Sequence, residues 1–97
     1  DEDYARAWKY LGLVYEKKQS FIHAIFTIER YLELNSNDIE FQFKLARLFF
    51  KLEINEEAKK RCYNCLELDP NFAPAQELLK EIKKYSTIPK LEIRNQA

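Results

Sequence analysis

Cys62 and Cys65 have the CxxC separation of a redox dithiol or of half a zinc site. Tetrahedral zinc needs about four ligands, and His23 is the only histidine available beside the two cysteines. A redox pair works at a helix N-terminus, where free N–H groups lower the thiol pKa. The surrounding pattern instead places both cysteines well inside a helix, on its apolar stripe, where reduced cysteine behaves as a small hydrophobe. His23 has no cysteine or carboxylate motif around it and lies in the first turn of a helix, which is the context of a surface histidine. The chain has no Gly-rich phosphate loop, no Ser-centred elbow and no framed pair of acids. The residues make no case for an enzyme, a cofactor or a metal site.

The elements that carry these residues follow from composition. The 97 residues are 46% apolar and 14% aromatic, enough large side-chain surface to order one domain without staples. One Gly and three Pro leave little turn chemistry, while Leu, Ala, Glu, Lys and Arg are abundant, so the chain is all-α with short polar links. Sixteen basic and sixteen acidic residues cancel, which argues against binding of nucleic acid or acidic lipid by bulk charge. No apolar run reaches the roughly 20 residues that span a bilayer. The chain opens DEDYARAW without Met, as an excised fragment would, so the compartment stays open despite a cytoplasmic default.

Residues 5–38 align without a gap on residues 39–72, a period of 34. Seven positions are identical: Leu11/Leu45, Lys17/Lys51, Ala24/Ala58, Leu32/Leu66, Glu33/Glu67, Leu34/Leu68 and Asn37/Asn71. Others keep their size, as Gly12 with Ala46 and Tyr15 with Phe49. Within each unit apolar residues recur at spacings of three and four, which predicts two amphipathic helices. Ser20 and Asn55 are the expected N-caps of the second helices, and Asn37 with Glu40 has capping-box spacing. A further helix is expected over 73–85, with Leu78, Leu79 and Ile82 as its apolar stripe, followed by a loose tail over 86–97 that contains Pro89.

On Trp8, Leu11, Gly12, Tyr15, Ala24, Leu32, Leu34 and Asn37, and on Leu45, Ala46, Phe49, Ala58, Leu66, Leu68, Asp69, Pro70 and Asn71, the chain resembles the tetratricopeptide repeat family. The resemblance covers about residues 4–85 and implies two repeats and a capping helix in a short right-handed α-solenoid of antiparallel helix pairs. It departs from the family where Gln19 and Glu53 replace the usual inter-helix Gly, where Ser36 replaces the closing Pro, and where Gln42 replaces an aromatic.

The resemblance implies a protein-binding concave face lined by the first helix of each pair. Here that face would present Arg6, Lys9, Tyr10, Leu13 and Lys17, then Phe43, Lys44, Arg47, Phe50 and Lys51. Cations interleaved with rings suit a partner with acidic and apolar residues. Family members that clamp a chaperone's C-terminal carboxylate use a fixed set of Lys, Asn and Arg. Lys9 fits that set, but Leu13, Lys44, Pro74 and Leu78 do not, so the clamp is not expected. The expected function is an adaptor or scaffold module that binds a peptide segment or helix of a partner protein. One rival is self-assembly, or a place in a longer array, through Leu78 and Ile82. A weaker one is nucleic-acid binding on the basic face.

Overall fold

The computed structural model describes the backbone of residues 2–96 and the side chains of residues 2–84. Among the described residues the chain forms helices α1 (Glu2–Lys17), α2 (Phe21–Leu34), α3 (Ile39–Lys51), α4 (Asn55–Leu68) and α5 (Ala73–Gln96), and no strand. The period of 34 is written in the helix boundaries: α1 and α3 end on Lys17 and Lys51, α2 and α4 begin on Phe21 and Asn55, and α3 and α5 begin on Ile39 and Ala73.

The turns repeat as well. Ser20 N–H donates to Tyr15 O at 2.9 Å, and Ile54 N–H donates to Phe49 O at 2.9 Å, the six-residue closure that ends a helix with a left-handed residue. That residue is Gln19 in one unit and Glu53 in the other, both at positive φ. Between units, Asn35 N–H donates to Tyr31 O and Asp69 N–H to Cys65 O, at 3.0 and 2.9 Å.

Packing follows the small residues. Ala24, Ala46 and Ala58 are completely buried, and a Cβ at Gly12 would lie 2.8 Å from Ile28 Cγ1, so α1 approaches α2 closely at that point. A larger side chain would push the axes beyond the roughly 8–10 Å of a tight pair. Helix α1 pairs with α2 and α3 with α4, while α2 packs on α3 and α5 covers both α4 and α3. One continuous core results, with Ile28, Leu45, Leu48, Cys62, Cys65 and Ile82 as its most completely buried larger side chains.

The helix starts meet different outcomes. Asp38, not Asn37, is the N-cap of α3, its carboxylate accepting from Phe41 N–H at 3.3 Å. A full negative charge at the positive end of the helix, also held by the Tyr31 hydroxyl, outweighs the amide one residue earlier. Helix α4 begins at Asn55 with Ile54 as its cap residue, the Ile54 carbonyl accepting the first intrahelical bond from Ala58 N–H at 3.0 Å. Ser20 is the N-cap residue of α2 as expected, its carbonyl accepting from Ala24 N–H at 2.9 Å, although its hydroxyl makes no capping bond.

The backbone of α5 stays helical through Pro89 to Gln96, past the boundary expected at residue 85. Proline removes one N–H from the ladder, but its neighbours Lys90, Leu91, Glu92 and Arg94 include several good helix formers. Docking of this segment by its side chains lies outside the described residues.

Candidate protein-binding groove

Helices α1 and α3 carry the ten residues expected on the concave face, and the structure divides nine of them into three groups and pairs the tenth, Lys44, with Glu16. Phe43, Arg47, Phe50 and Lys51 come together. With Pro74, Glu77, Leu78 and Glu81 of α5 they line a groove of about 410 Å³ between α3 and α5. The Phe72 ring meets Phe43 edge-on at 5.8 Å, which ties the turn before α5 to α3.

Arg6 and Lys9 line a separate depression of about 340 Å³ with Glu2, Ala5, Tyr31, Leu34 and Asn35. Tyr10, Leu13 and Lys17 are exposed on α1 and border neither space, Tyr10 being 71% accessible. They stand on the same helix as Arg6 and Lys9 but are not gathered into a pocket.

Lys9 and Lys44 hold the two repeats together. Lys9 Nζ lies 3.6 Å from Asp38 Oδ2 and over the rings of Tyr31 and Phe41, at 5.6 and 5.1 Å from their centroids. Lys44 Nζ bonds Glu16 Oε1 of α1 at 3.1 Å. These cations therefore link α1 to the start and middle of α3, and their charge is answered within the chain. The Tyr31 hydroxyl donates to Asp38, and burial, followed by that bond and the Asp38 charge, pushes its pKa up to about 12.

The other wall of the groove is acidic, from Glu77 and Glu81 of the last helix. Glu77 and Glu81 are the 34-residue counterparts of Phe43 and Arg47, so the repeat register extended into α5 is the signal that locates them. Successive units thus present opposite charge at one structural position, as Arg47 and Glu81 do. Among the described residues no ion pair joins Arg47 or Lys51 to Glu77 or Glu81. Lys51 does lie 5.1 Å from the centroid of the Phe21 ring, and Arg47 is exposed on the groove's lining.

The cysteines are core residues. Both are free and 0% accessible, and Cys65 Sγ points at Ile39 O, 3.9 Å away. Burial pushes the Cys62 thiol up to about 11. Burial first, then the neighbouring Cys62, pushes Cys65 up to about 12. Thiols held protonated inside a helix interface are poor nucleophiles. His23 is exposed, its ring stacked on Tyr15 at 5.1 Å.

A larger depression, about 600 Å³, is lined entirely by α4, from Glu56 to Glu67. Walls drawn from one helix form a flank, not a cleft, so the α3–α5 groove is the better-formed site.

No family model matches the sequence, and no curated protein matches it. Among solved structures, the crystal structure of MamA protein matches with a TM-score of 0.82 at 18% sequence identity, over 90% of this chain and 48% of that one. The fold is a tetratricopeptide-like helical repeat. The chain spans about half the length of that neighbour, 48%, and the likeness is one of backbone architecture. No helix among the described residues is long and apolar enough to cross a membrane.

Proposed function

We propose that this chain is a protein-interaction module, an adaptor or scaffold segment that seats a piece of a partner protein in the α3–α5 groove. The observation that carries this reading is the convergence of rings and unlinked charges from two helices: Phe43 and Phe50 offer apolar contact, and Arg47 can grip a carboxylate by its two-pronged guanidinium. Arg6, Lys9, Tyr10, Leu13 and Lys17 extend the same face along α1, with Lys9 contributing mainly to cohesion between repeats. The test is recovery of partners from the native cell by the wild-type chain and by Arg47→Glu with Lys51→Glu. Both residues are exposed, so helicity by circular dichroism should hold while partner recovery falls. Equal recovery would remove the groove from the account.

A second reading, stacking on another copy or on further repeats, is favoured by one observation. Leu11 is 38% accessible on α1, whereas its counterpart Leu45 in the second unit is completely buried. Tyr4 and Phe26 are exposed as well. Leu78 and Ile82, the residues expected to serve self-assembly, are instead buried within the chain. Light scattering over a range of concentrations decides: a constant monomer mass excludes stacking between copies.

A further inference from the structure

The charge layout of the α3–α5 groove specifies its occupant more narrowly than a basic face would. Arg47 and Lys51 stand one turn apart on α3, and Glu77 and Glu81 stand one turn apart on α5. The lining between them is apolar, from Phe43, Phe50, Pro74 and Leu78. Elsewhere on this side of the molecule cations lie against acids, as Lys44 does with Glu16 and Lys9 with Asp38. Across the groove they do not.

From this arrangement, and resting on the groove being the docking site, we infer that it selects an amphipathic helix of mixed charge. The helix carries carboxylates along the edge that meets Arg47 and Lys51, Lys or Arg along the edge that meets Glu77 and Glu81, and apolar residues between. A helix meets the geometry because its side chains leave in many directions, so one face and two edges can address a floor and two walls at once. A strand offers only two opposite faces, and one of those would point to solvent. The one-turn spacing on each wall also matches residues four apart on a partner helix, about 6 Å along its axis. A wholly acidic helix would gain at Arg47 and lose at Glu81. Charges of a helix held against these walls act at contact range, inside the screening length of about 8–10 Å at moderate salt.

The test uses three synthetic helical peptides with one apolar spine. The first has one acidic and one basic edge, the second two acidic edges, and the third two basic edges. Binding to the full chain is read by fluorescence anisotropy at low salt. The mixed peptide is expected to bind about tenfold more tightly than either of the others, the sum of several exposed ion pairs. Arg47→Glu should move the preference to the peptide with two basic edges, and Glu81→Lys to the one with two acidic edges. Equal affinities, or tightest binding of the doubly acidic peptide, would overturn the charge rule. Hydrogen exchange separates that failure from failure of the site. Protection of α3 and α5 by any of the peptides retains the groove, whereas protection confined elsewhere, or no binding at all, removes both.

Discussion

Gln19 and Glu53 hold one left-handed backbone conformation, φ 61° and 60°, at positions 34 residues apart. Neither is glycine, so each side chain sits where its Cβ crowds the backbone, at a cost of about 1–2 kcal/mol. Glycine removes that crowding but loses more entropy on folding, about 0.5–1 kcal/mol. Gln19→Gly and Glu53→Gly should therefore each stabilise the fold by up to about 1 kcal/mol. Guanidinium denaturation reads this as a higher midpoint, and a lower midpoint for both would contradict the turn geometry.

The α1–α2 crossing has no room at Gly12, where a Cβ would lie 2.8 Å from Ile28 Cγ1. Gly12→Val should lower stability by about 1–3 kcal/mol through overpacking. Ala58→Trp, at a completely buried position between α3 and α4, should do worse. Thermal melts of both variants check the pairing, since wild-type melting temperatures would mean that these helices do not meet there.

Asp38 is cap, hydrogen-bond acceptor and counter-charge at once, serving Phe41 N–H, the Tyr31 hydroxyl and Lys9. Asp38→Ala should cost about 1–2 kcal/mol, the range for losing a good N-cap. Asn37→Ala, one residue earlier and exposed, should change stability by less than about 0.5 kcal/mol. If the two effects were reversed in paired urea titrations, the capping box read from sequence would be the true one.

Cys62 and Cys65 make the fold sensitive to alkali. Both thiols have a folded pKa, about 11 and about 12, above the ordinary value of 9.0, because burial disfavours the thiolate. The folded state therefore holds these protons more firmly than the unfolded chain does. That contribution is complete below pH 9 and is lost as pH rises through 11 to 12. Denaturation midpoints should accordingly fall above pH 9, with a smaller fall in the variant carrying Cys62→Ala and Cys65→Ala. That variant should itself be about 1–3 kcal/mol less stable at neutral pH. Rapid reaction of the folded wild type with a thiol reagent at pH 8 would place the cysteines outside the core.

Much of this architecture was legible because repetition amplifies weak signals. Leu11 over Leu45 or Ala24 over Ala58 is trivial singly, but seven identities at one spacing, with size kept elsewhere, define two helix pairs and the faces they bury. The same register turned Cys62 and Cys65 from a possible metal half-site into counterparts of Ile28 and Tyr31. The caps were read less well, since Asn37, Asp38, Ser20 and Asn55 all have suitable side chains. Which one bonds depends on turn geometry and on neighbours such as Tyr31, which stands on the preceding helix.

By itself the sequence determined an all-helical chain of period 34, its small contact residues and its buried stripe, because helical periodicity and side-chain size are local properties. Only the tertiary structure decided how ten candidate residues are shared out. It set Lys9 and Lys44 against acids between the repeats, left Tyr10, Leu13 and Lys17 outside any groove, and brought Glu77 and Glu81 opposite Arg47 and Lys51. Charge complementarity is a relation between helices. It depends on how far apart two surfaces come to rest, and packing of the core beneath them decides that distance.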